Sequence, residues 1–151
     1  MRDQLDQIMA VMECAFDPAF GEAWTRSQVE NALLMGNCRV ILVNARGECP
    51  ADDEPATGFS LIRSVAGEDE LLLFAVDPKY RRQGIGAAML TLLFQDARSR
   101  AIEAIHLEMR RDNPAERLYR AHGFVPVGIR PNYYRSSTGE RIDAISFRCT
   151  P

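Results

Sequence analysis

The order of hydrophobic and polar positions divides the chain into helix-like and strand-like segments. Near the start, Leu5, Ile8, Met9 and Met12 recur at helical spacing, and Thr25 is placed to cap a second helix. Three strand-like runs follow, RVILVNAR, TGFSLIRSV and ELLLFAVD, and turn-forming residues separate them. The pattern therefore predicts two helices followed by an antiparallel meander of three strands.

From Gly84 onward the hydrophobic period becomes helical. The stripe consists of Ile85, Ala88, Met89, Leu92 and Leu93. The run AIHLEM predicts a short strand, and NPAERLYRAHGF predicts a helix with Pro114 in its first turn and Gly123 as its stop. FVPVGIRPNYY and RIDAISFR flank a turn at 136–139, which predicts a closing hairpin.

These elements predict an α/β fold with a mixed central sheet of about six strands and about four flanking helices. The chain has 151 residues, of which 46% are hydrophobic, so we expect a single domain over residues 1–151.

The net charge of −3 argues against a general nucleic-acid binder. No apolar run reaches the roughly 20 residues of a membrane span, and the N-terminus lacks the layout of a signal peptide, so we expect a cytoplasmic protein.

Metal and disulfide chemistry find no support in the sequence. The cysteines are scattered without a C-x-x-C pair; they are Cys14, Cys38, Cys49 and Cys149. His106 and His122 have no carboxylate pattern around them that resembles a metal triad. We therefore expect no metal site.

The segment FAVDPKYRRQGIGAAML joins a strand to a helix through a glycine turn that indicates a phosphate site. A Rossmann fingerprint would need a third glycine where Met89 stands, and a Walker A loop would need lysine where Ala87 stands. The remaining pattern is Arg-x-x-Gly-x-Gly, formed by Arg81, Gly84 and Gly86.

This pattern suits the binding of a pyrophosphate. Glycines let the backbone approach the anion, free N–H groups at the helix start point toward it, and arginines add charge-assisted hydrogen bonds. The candidate binding residues are Arg81, Arg82, Gly84, Ile85, Gly86 and Ala87. Close packing of the helix against a neighbour is the alternative explanation of the glycines.

Two motifs together resemble the GNAT family of N-acetyltransferases. The Arg-x-x-Gly-x-Gly turn is similar to the family's acyl-CoA signature, and LYRAHGF resembles its L-Y-x-x-x-G-F motif, in the family's order. The resemblance implies the GNAT fold, acetyl-CoA as cosubstrate and a Tyr119 hydroxyl near the CoA sulfur. It also implies a strand backbone amide, near Val76, that polarises the thioester carbonyl.

Three further segments narrow the resemblance to the protein N-terminal acetyltransferases, especially the bacterial enzymes for ribosomal-protein alanine. The segments are AFGEAWTRSQV, LEMR and IRPNYY with GERIDAISF, and the resemblance covers residues 14–147. It implies a protein N-terminus, such as that of a ribosomal protein, as acceptor, with Tyr133 and Tyr134 beside it. It further implies Glu108 as general base, through a water, and Tyr119 as general acid.

The acceptor amine can also be argued from its acidity. Deprotonating an α-amine of pKa about 8 requires roughly 1.4 kcal/mol at pH 7, against roughly 4.6 kcal/mol for a lysine side chain. A modest base such as Glu108 therefore suits an N-terminus better. Two alternatives stay open, namely acetylation of a small molecule such as a polyamine and a non-catalytic acyl-CoA sensing domain.

The sequence departs from the family pattern in two places. The family usually has a strand before its first helix, whereas the helical pattern here starts at once, so one edge strand is missing or the start of the chain is misplaced. In the family, six residues commonly lie between the asparagine and the motif tyrosine, whereas only five lie between Asn113 and Tyr119. One residue rotates a helix by about 100°, so we leave Asn113 out of the site.

Overall fold

A computed structural model describes residues 3–151 as one mixed sheet with helices on both faces. The strands are β1 Cys38–Val43, β2 Gly58–Val65, β3 Glu68–Val76, β4 Ala104–Arg110, β5 Val125–Arg135 and β6 Arg141–Cys149. The α-helices are α1 Gln4–Ala15, α2 Arg26–Leu34, α3 Ile85–Ser99 and α4 Glu116–Ala121. Single 3₁₀ turns span Pro18–Phe20 and Pro78–Tyr80. In this part of the chain, no helix is long and apolar enough to cross a bilayer.

The strand order is β1-β2-β3-β4-β6-β5, and every pair is antiparallel except β3–β4. The predicted meander corresponds to β1–β3, and the predicted closing hairpin corresponds to β5–β6. The α/β class with six strands and four α-helices over residues 3–151 is therefore confirmed. α1 begins at Gln4, in agreement with the helical pattern at the start of the sequence.

The parallel pair in the middle of the sheet separates halfway along its length. Glu68–Leu71 pairs with Ala104–Leu107, but β3 continues to Val76 and β4 to Arg110 without pairing with each other. The C-terminal halves of the two strands therefore enclose an opening in the sheet, which we call the β3–β4 cleft.

A bulge in β3 changes the direction of its side chains just where the cleft begins. Leu61 of β2 lies opposite Leu73, and the next residue, Ile62, lies opposite Leu71, so Leu72 is an extra residue. Leu71 consequently packs in the core beneath α3 and α4, whereas Leu73 packs beneath α1 and α2. Since ELLLFAVD is almost uniformly apolar, the sequence gives no sign of this reversal.

Each face of the sheet has its own hydrophobic core. Under α1 and α2 the buried side chains are Ile8, Val11, Met12, Val29, Phe59, Leu61, Leu73 and Ala75. Under α3 and α4 they include Leu90, Leu93, Phe94, Ile105, Leu107, Phe124 and Phe147. Burial of each large apolar side chain contributes about 1.5–3 kcal/mol, so these two cores fix the sheet between its helix layers.

The helix ends follow the sequence closely except at α4. Thr25 and Gln28 form a capping box at the start of α2, as its sequence predicts. α4 begins at Glu116 rather than at Pro114, because the Asn113 side chain accepts a hydrogen bond from the Ala115 N–H at 2.9 Å and forms a turn there.

Gly123 ends α4 as predicted, with a φ of 95°. The N–H of Gly123 donates to the Arg120 carbonyl and that of Phe124 to the Tyr119 carbonyl, both at 3.1 Å. This pair of bonds is a Schellman motif. It brings the Phe124 ring against Tyr119 and so helps to fix Tyr119 beside the cleft.

Candidate functional site

The glycine turn leaves the start of α3 open to an anion. Gly84 is the N-cap of α3 with a φ of 80°, and no side chain caps the helix. The first N–H with a helical acceptor is that of Ala88, which donates to the Gly84 carbonyl at 3.0 Å. The N–H groups of Ile85, Gly86 and Ala87 are consequently free of helical partners, and the helix dipole adds partial positive charge there.

The two glycines of the turn are required for different physical reasons. Gly84 needs a left-handed backbone, which a residue with a Cβ adopts only at a cost of about 1–2 kcal/mol. A Cβ on Gly86 would lie 2.9 Å from Leu118 Cδ2, so Gly86 lets α4 pack against the start of α3. Close packing thus explains Gly86, and turn geometry explains Gly84.

The adjacent arginines also differ. Arg81 donates from Nη2 to the Ala15 carbonyl at 2.6 Å and from Nε to the Val76 carbonyl at 3.2 Å. Its guanidinium therefore ties the end of α1 to the end of β3. The Arg82 side chain is exposed and forms no ion pair with residues 3–151. These contacts make Arg82 the better candidate for a phosphate and give Arg81 a structural role.

The Val76 N–H faces the β3–β4 cleft. Asp77 donates its N–H toward the β2 side, to the Thr57 carbonyl at 2.7 Å. Because backbone groups alternate along a strand, the N–H and C=O of Val76 point to the opposite edge, where β4 has diverged. The Arg81 bond to the Val76 carbonyl comes from that edge as well.

Tyr119 lies on the α4 side of the cleft in an apolar setting. Its ring makes edge contacts with Phe74 and Phe124, both with centroids 5.7 Å apart, and the residue is only 6% exposed. Burial raises the pKa of Tyr119 well above its usual range, and the Glu22 charge acts in the same direction. The phenol therefore stays protonated at neutral pH, as a proton donor requires.

Glu108 lies on the opposite face of the sheet, with one carboxylate oxygen occupied. Its Oε2 accepts a hydrogen bond from Ser146 Oγ at 3.3 Å and lies 3.0 Å from Arg130 Nε. Oε1 takes no hydrogen bond from residues 3–151. The side chain is 22% exposed, so Oε1 is a basic atom that a substrate or a water can reach.

Arg110 and Glu22 form a second ion pair beside Glu108, and the sequence reasoning assigned neither a site role. Arg110 Nε lies 3.3 Å from Glu22 Oε1, and the two side chains are 13% and 19% exposed. The Arg110 guanidinium lies 3.8 Å above the Phe20 ring, a cation–π contact that fixes the α1–α2 connection against β4. The motifs FGE and LEMR carry the only sequence signal of this pair.

Tyr133 and Tyr134 occupy a second bulge, in β5. The β5–β6 register shifts between Arg130 and Tyr134, and the two tyrosine rings meet edge to face at 5.1 Å. Burial raises the pKa of Tyr134 to about 12, and the negative charge of Glu108 acts in the same direction. Tyr133 is 54% exposed and lies at the rim.

The cleft thus separates the predicted site residues into two sets. On the α3–α4 side are the open helix start and the Tyr119 phenol, and on the other side are Glu108 and Tyr134. Between them is the outward-facing N–H of Val76. No cluster of three or more His, Cys, Asp or Glu side chains suited to a metal occurs in residues 3–151.

Comparisons with known proteins agree with this geometry. The profile of the Acetyltransferase (GNAT) domain family matches residues 38–126. The chain is 41% identical over 88 residues to ribosomal protein bS18-alanine N-acetyltransferase of Escherichia coli (strain K12), a match that covers 58% of this chain and 59% of the relative. The match to the Haemophilus ducreyi protein of the same name is 35% identical and covers 61% of that relative. The matched segments therefore span about three fifths of these relatives.

A solved structure extends the likeness to nearly the whole chain. The ribosomal-protein-S18-alanine N-acetyltransferase from Escherichia coli superposes with a TM-score of 0.82 at 27% identity and covers 99% of this chain and 90% of that one. This likeness includes α1, α2 and nearly all of the β5–β6 hairpin, which lie outside the family-profile match.

Proposed function

The chain belongs to the GNAT family of acetyltransferases, and from that premise we propose that it transfers the acetyl group of acetyl-CoA to the α-amine of a protein N-terminus. The observation that carries the proposal is the placement of Glu108 and Tyr119 on opposite faces of the sheet at the β3–β4 cleft. An acceptor entering from one face can there meet a thioester bound from the other.

Acetyl-CoA would bind along the α3–α4 side. Its pyrophosphate would accept hydrogen bonds from the N–H groups of Ile85, Gly86 and Ala87, with Arg82 adding charge from the exposed turn. The pantetheine arm would run into the cleft beside β3. The thioester carbonyl would then lie at the Val76 N–H, which supports the developing oxyanion.

The proposed reaction uses one proton acceptor and one proton donor. The neutral amine attacks the thioester carbon, forming the C–N bond and placing charge on the carbonyl oxygen. Glu108 takes a proton from the amine, through a water. The C–S bond then breaks, and the leaving thiolate takes the Tyr119 phenolic proton. Exchange with solvent returns Glu108 and Tyr119 to their starting states.

The acceptor is best supported as a peptide that begins with a small residue. Tyr133 and Tyr134 form an aromatic pair, and Tyr133 lies beside Arg130, which contacts Glu108, so a peptide backbone could lie along these rings. The relatives at 35–41% identity are named for an alanine of ribosomal protein bS18. We therefore propose that the acceptor is a ribosomal protein whose N-terminal residue is alanine.

The test is a comparison of kcat/KM for three acceptors with acetyl-CoA. These are an Ala-initiated peptide, the same peptide with a blocked N-terminus and an internal Lys, and spermidine. We expect the free Ala peptide to be preferred, because its α-amine is neutral more often than a lysine side chain. Faster turnover of spermidine would favour a small-molecule acetyltransferase, and acetyl-CoA binding without any transfer would favour a sensing domain.

A further inference from the structure

Arg130 is an exposed residue of β5 whose guanidinium reaches the carboxylate of Glu108. Its Nε lies 3.0 Å from Glu108 Oε2, although the Arg130 side chain is 61% exposed. Its Cζ lies 5.0 Å from the centroid of the Tyr133 ring. A guanidinium held by a carboxylate at one end and by an aromatic face alongside has little rotational freedom left.

The β5 bulge makes this contact possible. Arg130 is opposite Ala144 and Tyr134 is opposite Ile142, so four steps along β5 match two steps along β6. Asn132, inside the bulge, has a φ of 55° and donates its N–H to Asp143 Oδ1 at 2.9 Å. Asp143 thereby fixes the bulge that carries Arg130 and both tyrosines.

A hydrogen-bond donor and a positive charge meet at the same oxygen of Glu108. Ser146 Oγ and Arg130 Nε both reach Oε2, which turns the carboxylate so that Oε1 is the atom left for a proton. Ser146 is a neutral donor from the neighbouring strand, whereas Arg130 brings charge. Loss of Arg130 would leave the carboxylate with one long hydrogen bond and freedom to rotate.

We propose that Arg130 is a positioning residue for Glu108, holding Oε2 so that Oε1 faces the acceptor amine. The inference rests on the proposed function. It couples the segment that would hold the peptide to the group that would deprotonate it, since Tyr133 supports Arg130 and Arg130 supports Glu108. Arg130 itself touches neither the amine nor the thioester in this proposal.

The experiment measures kcat for the Ala peptide in R130A, E108Q and the double variant E108Q/R130A. We expect R130A to lose about fivefold in kcat, the upper scale of an ion pair with an exposed partner. The double variant should turn over no more slowly than E108Q, because an effect exerted through Glu108 disappears once Glu108 is gone. Free guanidinium, below denaturing concentrations, should restore part of the R130A rate and none of the E108Q rate.

Controls separate this effect from misfolding. R135Q, which removes an exposed arginine of the same strand, should match wild type, and R130K should keep more activity than R130A. The acetyl-CoA affinity and the unfolding midpoint of R130A should equal those of wild type. If R130A fails to fold, R130K and R130Q replace it in the double-mutant cycle with E108Q.

Two results would overturn the inference while leaving the proposed function intact. One is an R130A rate equal to that of wild type, which would mean that Arg130 does not act on Glu108, or a rate above it, which would mean that Arg130 blocks the base. The other is a double variant whose losses multiply. A wild-type chain that acetylates no amine would instead overturn both proposals.

Discussion

Two carboxylates, one in each half of the β3–β4 pair, are held in opposite ways. In the half where the strands pair, the Asp69 side chain is 0% exposed and accepts hydrogen bonds on both oxygens, from Arg100 and Ser64. In the half where they diverge, Glu108 uses one oxygen and is 22% exposed. A carboxylate with both oxygens occupied stabilises the fold, whereas one with a free oxygen is available for chemistry.

The ion pairs around Asp69 extend this contrast. Arg100 also donates to Asp96 at 2.8 Å, and Asp96 in turn pairs with Arg39, so strands and helix α3 are joined by one chain of charges. At the other end, Arg130 is mostly in solvent. Substitution of Asp69 should therefore affect stability, and substitution of Glu108 should affect turnover.

The largest expected effect is on the stability of D69N. Removing the charge of Asp69 leaves a partly buried Arg100 with a weaker partner, and breaking a buried pair typically costs about 3–5 kcal/mol. Urea unfolding should show this loss, with kcat unchanged at temperatures where the variant is folded. E70Q is the matched control, because Glu70 lies on β3 next to Asp69 but forms an exposed ion pair, with Arg63 of β2. Its free energy of unfolding should fall by less than about 1 kcal/mol.

The reverse outcome is expected for E108Q and Y119F. Each should lose about 10² or more in kcat, the usual scale of a general base or acid, with acetyl-CoA affinity nearly unchanged. E108Q should change the free energy of unfolding by no more than about 0.5 kcal/mol. If E108Q and Y119F both kept wild-type rates, the division between the two halves would fail.

The variant G86A tests the packing of α4 against the start of α3 beside the cleft. The added methyl would meet Leu118 Cδ2 at 2.9 Å and displace α4, which carries Tyr119. Overpacking of this kind costs about 1–3 kcal/mol, and we expect both stability and acetyl-CoA affinity to fall. G84A is the matched control: nothing lies within 4 Å of its Cβ, so its loss of about 1–2 kcal/mol would come from backbone strain alone. Equal stability of G86A and wild type would contradict the packing role.

The smallest effect is a pH dependence from Tyr134. Because its pKa is raised to about 12 in the folded chain, against 10.0 ordinarily, the unfolded chain ionises first as pH rises. The stability that Tyr134 contributes is therefore complete below pH 10 and is lost between pH 10 and about 12. Y134F should flatten this part of a urea-unfolding series from pH 9 to 11. A series equally steep in Y134F would assign the dependence to other groups.

The sequence predicts local features well here. The helical stripe of Ile8 and Met12, the Thr25 cap and the Gly123 stop each depend on neighbours a few residues away, and the structure has them as predicted. α4 was predicted two residues too early, because Pro114 is compatible with a first helical turn but Asn113 forms a competing side-chain turn.

The features that the sequence leaves undetermined depend on distant residues. Arg81 reaches a carbonyl 66 positions away, and Arg110 pairs with a carboxylate 88 positions away, so neither partner could be inferred from spacing. The contact of Glu108 with Arg130 depends in the same way on a bulge in another strand. The predicted roles of Val76, Glu108, Tyr119, Tyr133 and Tyr134 stay predictions, now with a geometry against which to test them.

The extra residue Leu72 makes β3 sensitive to its length. If β3 kept Leu72 but lost the bulge, simple alternation through Leu72 would exchange the two faces over the rest of the strand, so that Phe74 would leave Tyr119 and Ala75 would turn toward α3. The connection between β1 and β2 is different, because its residues 51–53 are exposed and lie outside any strand, so no alternation of side chains depends on its length. Insertions and deletions during divergence should therefore accumulate in that connection and be excluded from β3.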